Sequence, residues 1–294
     1  MEEKQIIKRL LESKSAMDFF GNTPEWKKDY KAYSLKIHPD LCKEQNCAEA
    51  FTRLNRYKDE LEKGLKHEDD AGSVTYNFKS VTIKGDVDFL KKSLTNYNKL
   101  MSLSDSASIA FKRYLPVSGR MTDDGELRFD LEFRSVPLSY LGDTEQLHVN
   151  WILSRMFEFS AWLTQVGFSH AGITPDSIYI CPENHGMVCI SFYHLTEIGS
   201  KLMTVSGKHQ NLYPSYIFND KVAVESLDLE LSKRTAIYLL GDKSGTGTSL
   251  KKTHNEDVID FLQKKSKDAF ETYNEYRTLL KNNFDTKQFH KLTI

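Results

Sequence analysis

The tripeptide His38-Pro39-Asp40 sets an imidazole and a carboxylate on either side of a proline. Proline pushes the residue before it out of the α region, so His38 and Asp40 are expected on a rigid, exposed corner. Just upstream, Lys27, Lys28, Lys31 and Lys36 face only Glu25 and Asp29, a locally positive surface suited to an acidic partner. On composition alone the same lysines would also describe a solvated helix face. A second group lies in GFSHAGITPDSIYICPENHGMVCISFY, residues 167–193, which holds His170, Thr174, Asp176, Ser177 and Ser191. Cys42, Cys47, Cys181 and Cys189 form no CxxC pair and read as free thiols of an intracellular chain. A four-thiolate zinc site would need the two distant pairs to meet. The Gly-rich run GDKSGTGTSLKK lacks the GxxxxGK[ST] spacing of a phosphate-cradling loop and reads as a flexible surface loop.

The elements that must position these groups follow from periodicity. Trp26, Tyr30, Tyr33 and Ile37 recur at i, i+4, i+7 and i+11, one apolar face of a helix that Pro24 would open and Pro39 would close. A second helix follows, with Phe51, Leu54, Tyr57 and Leu61 on one side, and the two make an antiparallel hairpin. HEDDAGS, residues 67–73, has the composition of a linker. From Val74 the texture becomes alternating, which predicts strands over 107–115 and 126–134. Residues 144–166 predict a long buried helix ending at Gly167, with Trp151, Phe157, Phe159 and Trp162 read as core. SIYICP and MVCISFY read as short strands, and Val258, Phe261, Leu262, Phe270, Tyr273 and Leu279 give the last fifty residues one or two amphipathic helices.

The 294 residues, 39% hydrophobic, with 40 Lys+Arg against 41 Asp+Glu, suit one large domain or two with packed cores. No apolar run reaches the roughly 20 residues of a membrane span, and the charged MEEKQIIKRLLESK does not read as a secretory leader. The net charge of −1 offers no bulk basic field for nucleic acid.

The segment PEWKKDYKAYSLKIHPD resembles the second helix of the J domain of DnaJ-type co-chaperones, through Glu25, Lys27, Lys28, Tyr30, Leu35, Lys36, His38, Pro39 and Asp40, with Lys31 replacing an Arg. The resemblance weakens over Phe51, Leu54 and Asn55, where Tyr57 stands for the usual Ala, and it leaves the register of a first helix within residues 3–20 open. It implies a partner, a DnaK-type (heat-shock 70 kDa) chaperone. The basic helix would meet its acidic surface and the His-Pro-Asp corner would trigger its ATP hydrolysis. The Gly/Phe-rich and CxxCxGxG regions of full DnaJ proteins are missing.

Residues 167–193 resemble the catalytic core of protein-kinase-like proteins, with His170, Pro175, Ile178, Ile190 and Phe192 matching its frame. Phosphoryl transfer in that family needs a positioning Asp, a metal-binding Asn and Asp, and a Lys on the phosphates. Here Gly172, Ser177 and Ser191 hold the first three positions, and Thr174 stands for the family's second Lys. Lys79 and Lys84 are candidates for the small-lobe Lys without a motif, and Asp176 is a candidate compensating carboxylate. His170 reads as a structural histidine, and an unrelated α+β domain would fit the same pattern.

The expectation is an α+β chain: a J domain over 1–66 as an antiparallel helical hairpin, a linker over 67–73, and a two-lobed, degenerate kinase-like domain over 74–294, its small lobe at 74–140 and large lobe at 141–294. The function expected is that of a cytoplasmic co-chaperone with no catalytic residue, metal or cofactor. Its kinase-like domain would hold a client. The alternatives are an active or nucleotide-sensing kinase relative, and nucleic-acid binding through Trp26, Lys27, Lys28, Lys31 and Arg53.

Overall fold

Ile6, Ile7 and Leu10 fall on one side of an otherwise charged segment, and they are the buried residues of helix α1 (Glu3–Glu12). Ser15 caps the short α2 (Ala16–Phe20) by accepting from the Asp18 amide at 3.0 Å. Two longer helices follow, α3 (Trp26–Lys36) and α4 (Cys47–Lys63). Tyr30 meets Asn55, and eight residues on, His38 meets Phe51 at 5.0 Å between rings, so α3 and α4 run in opposite directions. Arg53 donates to the carbonyls of Leu10 (3.1 Å) and Leu11 (2.7 Å), satisfying the open end of α1. The core closes around Phe19, Phe20, Trp26, Ala50, Leu54, Tyr57 and Leu61, all buried.

The structure is a computed structural model that describes residues 2–13, 15–21, 25–77, 79–266, 268–284, 290 and 292. Pro24, expected to open α3, and residues 285–289 of the C-terminal run lie outside the described residues. The chain divides into two units, one built on Met1–Lys66 with Thr75–Asn77, the other on His67–Val74 with Phe78–Leu292.

The stretch read as a linker, 67–73, is strand, turn and strand: β1 (Leu65–Asp69) and β2 (Gly72–Tyr76). Its Asp69 accepts from the amides of Ala71 (2.8 Å) and Gly72 (3.2 Å), which folds the polar run into a tight turn. After β3 (Ser80–Gly85), Asp86 caps α5 (Val87–Ser102), which carries the buried Leu90, Tyr97 and Leu100. Residues 107–115, expected as a strand, instead form α6 (Ser106–Phe111) and a 3-10 turn. Asp105 caps α6 through the Ser108 amide (2.9 Å), and Ser108 accepts from the buried Trp162 indole, so a cap and a tertiary contact override the alternation. Strands β4 (Ser118–Met121) and β5 (Leu127–Asp130) complete a sheet in the order β1-β2-β3-β5-β4. Phe129 stands opposite both Val81 and Gly119, fixing the buried face.

The rest of the second unit is mostly helical. Strand β6 (Val136–Pro137) leads to α7 (Gln146–Gln165), the long helix expected, which buries Met156, Phe157, Phe159, Trp162 and Leu163. Trp151, read as core, is half-buried and stacks on His185 at 4.2 Å. Strand β7 (Phe168–Ser169) precedes β8 (Ile178–Cys181) and β9 (Gly186–Cys189), which pair antiparallel, and β10 (Thr196–Glu197) pairs back on β7. Helices α8 (Tyr216–Asp220), α9 (Leu227–Leu239), α10 (Glu256–Gln263) and α11 (Ala269–Asn283) follow. Phe270, expected on an apolar face, is exposed, whereas Tyr276 is buried against Phe157. The Gly-rich run is tied down by Asp242, whose carboxylate accepts from Ser244 and from the Gly247 amide. Among the described residues no helix is long and apolar enough to cross a membrane.

The reading of four free thiols is corrected. Cys42 and Cys47 are joined by a disulfide, whereas Cys181 and Cys189 are free and buried. The turn after α3 and the left-handed Asn46 bring the Cα atoms of the pair to 6.2 Å, within disulfide reach. A spacing test for CxxC could not register that. The zinc reading falls with it, and among the described residues no cluster of metal-ligating side chains forms.

Candidate functional site

In the first unit, Ile37 ends α3 and is fully buried, which anchors the corner that follows. The amides of Leu41 (2.9 Å) and Cys42 (2.8 Å) both donate to the His38 carbonyl, closing a tight turn around Pro39. His38 lies edge-on to Phe51, its Nδ1 accepting from the Asp40 amide at 3.3 Å and standing 3.6 Å from the Asp40 carboxylate. Asp40 is 85% exposed at its side chain. Lys27, Lys28, Lys31 and Lys36 are all exposed along α3, as are Leu35 and Leu41 beside the corner. The arrangement offers cations, a carboxylate, an imidazole edge and two apolar side chains on one helix and the turn after it. Arg53, which a nucleic-acid surface would have needed, is occupied at the end of α1.

In the second unit His170, Thr174, Asp176, Ser177 and Ser191 are buried and bond to other groups of the unit rather than to solvent. Asp228 of α9 is buried and accepts from Ser169 Oγ (3.0 Å) and from the amides of His170 (2.7 Å) and Ala171 (2.8 Å). Burial nevertheless pushes its carboxyl up to about 6, against these three donors. The His170 ring is fully buried, and burial with the neighbouring His194 pushes it down to about 3. Its Nε2 lies 3.0 Å from Cys189 Sγ, whose thiol burial pushes well up. A neutral thiol against a neutral imidazole, both closed to solvent, is a packed pair and not a nucleophile with its base.

Gly172 stands where the kinase-like pattern has its positioning carboxylate, and the space for a side chain there is taken. A Cβ at 172 would fall 2.6 Å from the His194 ring. Ser177 turns inward, donating to the Gly172 carbonyl at 2.7 Å and accepting from the Thr174 amide at 3.0 Å. Ser191 adopts a left-handed backbone, φ 65°, uncommon outside glycine, and its hydroxyl donates to Asp69 at 2.6 Å. Thus Gly172, Ser177 and Ser191 are all buried, packed closed where the kinase-like pattern would have its cleft, and Asp69 of the β1–β2 turn reaches Ser191 there.

Asp176, 3% exposed, is held by Lys208 Nζ and His209 Nε2, each 2.7 Å from Oδ2. Burial alone would raise its carboxyl, but His209 and Lys208 outweigh that and hold it at about 2. It is an ionised, internally paired group. Lys84 pairs with Glu126 at 3.7 Å on the exposed side of β3, and Lys79 is exposed before it. Sequence reasoning passed over Asp69, Asp70, His194, Lys208 and Asp228. Asp69 and Asp70 lie in a polar run that reads as a linker, and no motif marks the others.

No protein-family model matches the chain, and no curated protein matches it. Among solved structures it is similar to ROP2 from Toxoplasma gondii, described as a virulence factor with a protein-kinase fold and no enzymatic activity. That likeness is 13% identical, covers 74% of this chain and 85% of that one, and has a TM-score of 0.49. It is also similar to vaccinia related kinase 3, at 11% identity over 75% of this chain and 91% of that one, with a TM-score of 0.46.

Proposed function

We propose that the chain is a J-domain co-chaperone in which residues 1–66 engage a DnaK-type chaperone and residues 74–294, a catalytically inert kinase-like domain, hold a client. The observation that carries the reading is the His38-Pro39-Asp40 corner, exposed at the end of a helix with four exposed lysines and fixed by two backbone bonds to the His38 carbonyl. Lys27, Lys28, Lys31 and Lys36 steer an acidic surface toward the corner. A ligand that fits one conformation of its partner better than another shifts that equilibrium by the difference, so a rigid corner can activate hydrolysis without touching the nucleotide. Tethering then raises the local chaperone concentration at the client, into the millimolar range for a short connection.

Inertness of the second unit is supported by its cleft. The positions that would bear the positioning Asp and the metal-binding Asn and Asp are Gly172, Ser177 and Ser191, and His194 and Asp69 fill the space beside them. The setting proposed is cytoplasmic. The Cys42–Cys47 bond weighs against it, since reducing compartments keep thiols reduced, and alkylation of the native protein followed by mass spectrometry decides that point.

The test is the steady-state ATPase of a purified DnaK-type chaperone with and without the full chain. Stimulation by the wild type, abolished by His38→Gln and by Asp40→Asn, is the expected result. A wild-type chain that leaves the ATPase at its basal rate overturns the co-chaperone reading.

A further inference from the structure

The turn of residues 206–208 points two successive amides at one carboxylate. Asp70 Oδ1 accepts from the Gly207 amide at 2.8 Å and from the Lys208 amide at 3.2 Å. Its Oδ2 lies 3.5 Å from the Tyr193 hydroxyl and 3.7 Å from His194 Nε2. His194 is buried, and among the described residues its ring nitrogens make no hydrogen bond within 3.5 Å, the nearest approach being that of Nε2 to Asp70, so a buried imidazole is aimed at the same spot. The turn itself is held from behind: the Ser206 amide donates to Tyr213 Oη, Tyr213 donates to the Ala171 carbonyl, and the His209 amide donates to Ser206 Oγ. Gly207 and Lys208 are exposed, so the cradle opens to solvent on one side.

We infer that the 206–208 turn with His194 is a binding cradle for a phosphate-type oxyanion, and that Asp70 is its built-in occupant, latching the β1–β2 turn onto segment 191–209. Consecutive amides in a concave turn favour a compact anion, and a carboxylate is the nearest side-chain mimic of a phosphoryl group. The occupant sits at the tip of a turn, beside a second carboxylate, Asp69, whose carboxyl burial pushes up and Asp70 raises further. His194, Ser206 and the Lys208 amide outweigh burial and hold Asp70 itself at about 2, so an outside anion has to outcompete a well-held carboxylate. A tethered competitor lowers the apparent affinity for an outside anion by the ratio of latched to unlatched molecules. This inference stands without the co-chaperone reading, since it uses no residue of the first unit.

A purely structural cap behaves differently from an occupied cradle when Asp70 is removed, and the experiment separates them. Inorganic phosphate is titrated calorimetrically into the full chain, its Asp70→Ala variant and its Asp70→Asn variant, with chloride holding ionic strength constant. The cradle predicts phosphate binding at least about tenfold tighter in Asp70→Ala than in the wild type, a smaller gain in Asp70→Asn, and loss of the gain when His194→Ala is added. Hydrogen exchange of the amides of residues 68–73 in the wild type then speeds up as phosphate is added. A structural cap predicts lower stability with no gain in phosphate affinity in either variant, and that result overturns the inference, as does an equal gain with chloride alone. Should Asp70→Ala fail to fold, Asp70→Asn and the wild-type exchange experiment decide alone.

Discussion

The corner at residues 38–40 and the cleft around residues 170–194 both carry histidine and carboxylate residues, yet they use them in opposite ways. At the corner the backbone is fixed internally, through the His38 carbonyl, while Asp40 and the four lysines face solvent. In the cleft the side chains are fixed internally: Asp228 by three donors, Asp176 by Lys208 and His209, Ser191 by Asp69. A polar group already bonded inside the chain must break that bond before it can serve a ligand, and buried groups lose more by doing so than exposed ones. A motif is therefore open to a ligand where folding leaves its polar atoms facing outward, and becomes scaffolding where folding satisfies them.

The largest test of this contrast is Asp228→Ala. It strands two buried amides, and a loss of about 3–5 kcal/mol is expected in urea unfolding followed by the fluorescence of Trp151 and Trp162. A loss under about 1 kcal/mol would break the view of the cleft as scaffolding. Next, restoring the missing carboxylate by Gly172→Asp should cost about 1–3 kcal/mol, because the new Cβ meets His194. The triple variant Gly172→Asp, Ser177→Asn, Ser191→Asp should still transfer no labelled phosphate. Incorporation of label would return the cleft to the class of sites.

Acid titration sharpens the contrast further. Asp70 and Asp176 are held at about 2, below the unfolded carboxyl, so their contribution is full above the unfolded value and is lost as pH falls toward 2. Asp228, raised to about 6, runs the other way: its contribution is full below the unfolded value and is lost as pH rises through 6. Unfolding free energies measured from pH 2 to 7 should show both limbs, with Asp176→Asn flattening the lower one and Asp228→Asn the upper. The smallest effect belongs to the corner. Lys31→Glu should change folding stability by less than about 0.5 kcal/mol, yet lower chaperone ATPase stimulation several-fold at low salt, with a smaller difference at high salt.

Much of the framework was legible from the chain alone. Helices α3, α4 and α7 follow from apolar residues recurring at helical spacing, and the pair β8 and β9 from two short apolar runs on either side of the turn residues ENHG, strands buried on both faces. The strand expected at 107–115 failed because the Asp105 cap and the Trp162 indole at Ser108 hold a helix there, and neither is encoded in local alternation. The polar run 67–73 failed for a related reason. Its carboxylates satisfy a turn and a distant segment, so polarity that normally marks a solvated linker here marks internal bonding. Cys42 and Cys47 escaped because their approach depends on the left-handed residue Asn46, a backbone choice the residue spacing does not reveal.

By itself the sequence determined which residues hold the corner, since His38, Pro39, Asp40 and the lysines are contiguous or one helix turn apart and proline fixes the local backbone. It also determined that positions 172, 177 and 191 bear no carboxylate, because glycine and serine carry none in any fold. Only the tertiary structure decided what fills the cleft instead. Asp69 reaches Ser191 and Asp70 reaches Gly207 from more than a hundred residues upstream, and Asp228 reaches His170 from nearly sixty downstream. Such pairings depend on burial and chain path, and no periodicity records them.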